Sequence, residues 1–399
     1  MVYADLGTGG VHGRGSLADY LPSIENVVGG SADDVPVGDG GVNPLSGGAG
    51  GDLPFGMDGD DTPVGGGASS GSANLLFGGS GNDTADYSAE TAIVYATIEG
   101  AAGYVGGLIG ASLRDSYGSI ENVPGGSGND LLVGNAGVNT LAGGGGSDVL
   151  FGRDGDDVPI GGGVATGGYN QLFGGNGNDT ADYGAETAQV TASLGGARAC
   201  VGGVASTDLR DISNSVENLA GGGANDVLVG DGLDNVLKGG VGADQLYGGS
   251  GANTFVYTGY GDSNVVTGYD TVADFVAGID KIDPRAMGTD SSHVVIPSGV
   301  ASTKLWVEVA PGVFVGATDL AIPLIGTNAP TVVDILFWAT RTGGRRAAGA
   351  ATGADTPERP GHDDATGAIP TTAARARARG AGRSHHATTS RVGVSRCGI

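Results

Sequence analysis

The stretch that decides the fold is Gly125-Gly126-Ser127-Gly128-Asn129-Asp130-Leu131-Leu132-Val133. Nine-residue blocks starting at Gly134, Gly143 and Gly152 follow it without a gap, then a thirteen-residue variant at Gly161 and a last block at Gly174. In each block Gly-Gly-x-Gly-x-Asp reads as a turn, since glycine supplies positive φ and lets backbones approach closely. The remaining three residues read as a short strand whose middle residue, usually Leu, points inward. Two such blocks make one turn of a coil, so residues eighteen apart stack directly.

The same blocks start at Gly29, Gly38, Gly47, Gly56, Gly65 and Gly78, and again at Gly221, Gly230, Gly239 and Gly248, sixteen units in all. A longer period encloses them. Ser119-Ile120-Glu121-Asn122-Val123 recurs as Ser23 to Val27 and as Ser215 to Leu219, both steps being 96 residues. Self-similarity of this kind is the mark of a solenoid. The expected fold is all-β, a parallel β-roll in three modules. Its expected divisions are 1–28, the end of a truncated module, then modules 29–124, 125–220 and 221–256, a C-terminal β segment 257–340 and a disordered Arg/Ala-rich tail 341–399.

Stacking at coil spacing puts Asp130 over Asp148, Asp34 over Asp52 and Asp226 over Asp244 along one edge. On the other edge Asp61 meets Asp83 and Asp157 meets Asp179, a step stretched to 22 by the longer block. Carboxylates one strand spacing apart, about 4.8 Å, repel one another. A hard cation accepting six to eight oxygens, backbone carbonyls included, removes that repulsion, and Ca²⁺ suits this better than Mg²⁺, which demands a tight octahedron.

Composition supports the same reading. Of 399 residues 83 are Gly, yet they follow no three-residue period, which excludes collagen. Residues 1–340 carry 9 Lys/Arg against 40 Asp/Glu, whereas residues 341–399 carry 10 Arg against 4 acidic residues. So acidic a body repels nucleic acid and must stay open or take up cations. No apolar run is long enough for a membrane helix, the N-terminus lacks the form of a secretory signal, and two cysteines support no disulfide framework.

The repeats resemble the RTX (hemolysin-type) calcium-binding nonapeptides of bacterial proteins exported by type I secretion. Asn253-Thr254-Phe255-Val256-Tyr257 and Asp270-Thr271-Val272-Ala273-Asp274-Phe275 to Asp283 are similar to the segment that follows such repeats in serralysin-type proteases. The resemblance covers roughly residues 11–290 and implies a β-roll with several Ca²⁺ ions between stacked turns. Carbonyls at turn positions one, three and five of one loop would face positions two, four and six of the loop one coil later. Carried over, Gly125, Ser127 and Asn129 would share an ion with Gly144, Gly146 and Asp148. Gly29, Ser31 and Asp33 would pair with Gly48, Gly50 and Asp52, and Gly221, Gly223 and Asn225 with Gly240, Gly242 and Asp244. On the other edge the pairs are Gly56, Asp58 and Asp60 with Gly79, Gly81 and Asp83, and Gly152, Asp154 and Asp156 with Gly175, Gly177 and Asp179.

The resemblance further implies secretion without an N-terminal signal, a type I secretion apparatus as partner and folding on Ca²⁺ after export. The parent could equally be a secreted protease or epimerase with its catalytic domain elsewhere, or a calcium-stiffened adhesin. No catalytic residues are expected in this chain. His12, His293, His362, His385 and His386 form no His-Glu-x-x-His, and no nucleophile elbow or phosphate loop stands out. Departures from the pattern are Pro at the inward position (Pro36, Pro54, Pro63, Pro159), Asn for the key Asp at Asn43, Asn139, Asn235 and Asn253, and Ala for Gly at Ala32 and Ala224. Three of the four prolines make the first module the expected weak one, and the two alanines are expected to strain their turns if φ there is positive. The tail from Arg341 does not resemble the export signal such proteins keep at their C-terminus.

Overall fold

The computed structural model describes residues 2–7, 10–13, 19–20, 23–66, 73–98, 102–105, 115–162, 168–194, 198–201, 209–264, 266–287, 294–295, 303–307 and 320–326. The Arg-rich tail, and His293, His362, His385 and His386, lie outside them. Among the described residues there is no α-helix and one 3-10 turn, Arg285–Met287. Most of the rest is a winding of short strands, many of them the three-residue tails of successive nonapeptides.

Alternate nonapeptides feed opposite faces. Leu131–Val133 pairs in parallel with Val149–Asp154, Leu132 opposite Leu150, while Thr140–Ala142 pairs with Val158–Ile160 on the facing sheet. The register step is eighteen residues, and 22 where the long block intervenes, Leu150 meeting Leu172. Side chains alternate across a strand, so the middle residue of each unit enters the core. Leu132, Leu141, Leu150, Leu172, Leu219, Leu228, Leu237 and Leu246 are all buried there. These leucines stack into two facing columns, and dispersion between closely packed side chains makes the interior continuous along the coil.

The less Gly-dense linkers extend this sheet. Val94–Thr97, Ala102–Val105 and Asp115–Gly118 run as an antiparallel meander. Its last strand pairs with Asn74–Ser80 and its first with Leu131–Val133, both in parallel. One rung thus widens to three without breaking the ladder. Val190–Ser193, Arg198–Val201 and Leu209–Asn214 repeat the device, and Val2–Asp5 with Gly10–Gly13 docks on Val35–Val37 in the same sense. At the far end Thr271–Phe275 and Lys281–Asp283 continue the two faces, and Leu320–Gly326 covers the first of them.

The inward prolines are buried; Pro36, Pro63 and Pro159 sit within three-residue ladders, and the ladder thins next to Pro54. Val35–Val37 meets Phe55–Asp58 through the single pair Val37 and Phe55, where the equivalent strands of the second module match three residues. Pro54 precedes the strand because it has no N–H to give. Ala32 and Ala224 are absent from the positive-φ residues, so their turns carry no such strain. Within the nonapeptide turns, non-Gly residues with positive φ are instead Met57 (φ +86°) and Arg153 (φ +91°), 96 residues apart.

Candidate metal centre: stacked turns with open carboxylate oxygens

The sixth-position aspartates of the later turns all perform the same service for the coil before them. Asp130 N–H donates to Asp148 Oδ1 at 2.8 Å, Asp34 N–H to Asp52 at 2.7 Å and Asp226 N–H to Asp244 at 2.7 Å. On the other edge Asp61 N–H donates to Asp83 Oδ1 at 2.8 Å and Asp157 N–H to Asp179 at 2.7 Å. One oxygen of every carboxylate therefore staples two coils. The fifth position builds a parallel outer ladder. Asp33, Asp60, Asn129, Asp156 and Asn225 accept from the N–H one coil on, at 2.8 to 2.9 Å. Third-position residues do less: Asp154 Oδ1 accepts from Asn176 Nδ2, and Ser127 N–H reaches the Glu90 carbonyl.

What the second carboxylate oxygen does divides the turns into two classes. In the first turns of each module the N–H of position two closes onto it. Gly30, Gly126 and Gly222 donate to Asp34, Asp130 and Asp226, and Asp39, Asn135 and Asp231 donate likewise to Asn43, Asn139 and Asn235. In the later turns position two has positive φ, at Gly48, Met57, Gly79, Gly144, Arg153, Gly175 and Gly240. That rotation turns the N–H away. Asp52, Asp61, Asp83, Asp148, Asp157, Asp179 and Asp244 are then left with a buried Oδ2 that accepts nothing. An unmatched buried charge of this kind is strongly unfavourable.

The electrostatics follow from this geometry. Burial pushes the Asp148 carboxyl up to about 7, against the Asp130 N–H, which favours the anion, and with the Asp130 charge adding to the rise. Burial raises Asp157 to about 6, with the neighbouring Asp179 and Asp156 charges adding. Asp52, Asp61, Asp83 and Asp179 are raised for the same first reason. Burial raises the Asp244 carboxyl, with the Asp226 and Asp262 charges adding, and raises that of Asp270, with the Asp244 charge adding. Asp226, whose second oxygen is bonded, still rises to about 6 through burial.

Backbone oxygens lie between the stacked turns. A Cβ built on Gly144 would fall on the Gly126 carbonyl oxygen, and one on Gly146 on that of Gly128. The later turn therefore lies flat on carbonyls two and four of the earlier one. Gly48 on Gly30, Gly79 on Met57, Gly81 on Gly59, Gly175 on Arg153, Gly177 on Gly155 and Gly240 on Gly222 repeat the contact. Among the described residues no three His, Cys, Asp or Glu side chains converge as a cage. A ligand set of one carboxylate oxygen with several carbonyls is hard and all-oxygen. It fits Ca²⁺ and not the nitrogen- and sulfur-seeking zinc.

Sequence reasoning grouped the aspartates by stacking and did not foresee that only the later turns keep an open oxygen. Met57 and Arg153, standing where a glycine was expected, were the missed signal. It also passed over Phe55 on Phe77 and Phe151 on Phe173, whose rings stack at 4.9 Å and 4.6 Å on the outer face. Tyr87 and Tyr183 are buried, and the Tyr87 hydroxyl also donates to Asp115 at 2.7 Å.

Repeat length, coil register and carboxylate column together define a parallel β-roll of nonapeptide repeats. The chain carries RTX calcium-binding nonapeptide repeats, matched over residues 69–87 and 124–159, and a peptidase M10 serralysin C-terminal segment, matched over residues 170–302. No curated protein matches it. Among solved structures it is similar to the AlgE6R2 subunit of the mannuronan C5-epimerase from Azotobacter vinelandii. The identity is 22%, the match covers 40% of this chain and 92% of that one, and the TM-score is 0.27. The AlgE6R3 subunit of the same enzyme gives 23% identity, 55% and 97% coverage and a TM-score of 0.19. The extracellular lipase LipA from Serratia marcescens gives 19%, 53% and 40%, and 0.19.

Proposed function

We propose that this chain is the calcium-binding, folding-on-export module of a secreted RTX protein, with no catalytic role of its own. The observation that carries the reading is the row of seven buried carboxylate oxygens left open in the later turns. Where Ca²⁺ is scarce, their charge and the entropy of 83 glycines hold the chain open. Outside the cell, each occupied site adds about 2.7 kcal/mol when Ca²⁺ stands a hundredfold above its dissociation constant. A few such sites match the total stability of an ordinary domain, about 5–15 kcal/mol.

The ions would lie between the loop pairs that the family resemblance names, held by Asp52, Asp148 and Asp244 on one edge and by Asp61, Asp83, Asp157 and Asp179 on the other. A type I secretion apparatus would then handle the unfolded chain. No helix among the described residues is long and apolar enough to cross a membrane. Limited proteolysis tests the reading. Residues 29–283 should resist protease in millimolar Ca²⁺ and be digested throughout in chelator. Equal resistance in both conditions would sink it.

A further inference from the structure

Ser119-Ile120-Glu121-Asn122 has no place in the nonapeptide pattern, yet it occupies the level of the coil where the next Gly-Gly-x-Gly-x-Asp turn would stand. In the regular column Asp61 N–H donates to Asp83 Oδ1, and one coil further Asp83 N–H donates to Glu121 Oε2 at 2.9 Å. Asp179 N–H donates to Glu217 Oε2 at 2.9 Å in the same way. The carbonyls are matched too. A Cβ on Gly56 would fall on the Gly78 carbonyl, and one on Gly78 would fall on that of Ser119, just as Gly174 faces Ser215.

The short turn is held rigidly. Ser119 and Ser215 adopt φ +51° and +49°, a conformation that residues with a Cβ rarely take. Asn122 Nδ2 donates to Asn82 Oδ1 at 3.0 Å and to the Asp83 carbonyl at 3.2 Å, and Asn218 repeats both bonds with Asn178 and Asp179. Three residues thus present the carbonyl and the carboxylate that six present elsewhere, the extra methylene of Glu covering the missing reach.

Asp83 Oδ2 and Asp179 Oδ2 lie at 0% exposure without a partner. Each sits over its own turn's first glycine, beside the Ser119 or Ser215 carbonyl. Burial and the Asp83 charge push the Glu121 carboxyl upward, as expected of two acids crowded at one spot. The geometry points to a further Ca²⁺ site closing each of these two blocks, formed by Asp83, Glu121 and the Ser119 carbonyl, and again by Asp179, Glu217 and the Ser215 carbonyl. The inference rests on the calcium reading above and extends it to turns that lack the nonapeptide signature.

Equilibrium dialysis of the full chain with radioactive Ca²⁺ tests it, comparing wild type with the double variant Glu121→Gln, Glu217→Gln. The variant should bind two fewer ions per chain and need roughly tenfold more Ca²⁺ to fold, since ligand charge sets affinity. An unchanged ion count would overturn the inference. Should the double variant not fold, wild-type crystals grown with Ca²⁺ decide. An anomalous peak about 2.4 Å from Glu121 and the Ser119 carbonyl is expected, and peaks in the regular loops with none here would overturn it. Calcium missing from every loop would overturn the calcium reading as well.

Discussion

Asp148 Oδ1 accepts the Asp130 N–H from one coil earlier at 2.8 Å, and its other oxygen is buried with no partner. One side chain therefore both staples the coil and offers a charge that only a cation can match. Asp130 differs: its Oδ1 accepts from Val94 N–H and its Oδ2 from Gly126 N–H.

That contrast predicts two unlike variants. Asp148→Asn keeps the staple but replaces the open oxygen, and should raise the calcium midpoint of folding about tenfold. Asp130→Asn removes an acceptor already in use, and should lower stability by about 1 kcal/mol at saturating Ca²⁺ with little change in the midpoint. Calcium titrations followed by tryptophan-independent far-ultraviolet signal separate the two, and equal midpoints would contradict the division into two turn classes.

The raised carboxyls give the pH dependence a definite sign. The folded values of Asp148, about 7, and Asp157, about 6, lie above those of an unfolded aspartate. The metal-free roll is therefore most stable in acid and loses that stability as pH climbs from about 4, the unfolded value, to about 7. Calcium needs the anion, so its affinity rises over the same range and its binding releases protons. Isothermal titration at pH 6.5 in buffers of different ionisation enthalpy should show that release, and a calcium midpoint that ignores pH between about 5 and 8 would contradict it.

Position two of the later turns should sort substitutions by sign. Met57→Gly and Arg153→Gly remove a Cβ from a positive-φ residue and should stabilise by roughly 1 kcal/mol each. Gly144→Ala sets a Cβ against the Gly126 carbonyl and should destabilise by about 3 kcal/mol or more. Thermal unfolding in saturating Ca²⁺ reads all three, and a stabilised Gly144→Ala would refute the close stacking.

The first module should be the loosest part of the roll. Its strands at Val37 and Phe55 share one ladder pair where the second module has three. Amides of residues 29–64 should exchange with deuterium faster than those of 125–160, even in saturating Ca²⁺. Pro54→Leu should narrow the gap by restoring a donor. Equal protection in the two segments would show that the prolines do not matter.

The coil was legible because its signals are local and repeated. The inward Leu every nine residues and the eighteen-residue stacking of Asp130 on Asp148 follow from strand alternation and turn length alone. The widening of one rung into the Val94 to Gly118 meander was only half visible, since the strand was readable but its partner was not. The two turn classes were not readable, because they depend on a single backbone rotation at residues such as Gly48 and Gly144 that glycine permits either way. Glu121 was in view as part of a recurring string, but its place in the aspartate column needs the three-dimensional register.

Circular dichroism of the whole chain, first in chelator, then in Ca²⁺, then in chelator again, bears most directly on the claim that cations hold these turns together. A coil spectrum that becomes β on adding Ca²⁺ and returns to coil on its removal is the predicted result. A full β spectrum in chelator at neutral pH would contradict it.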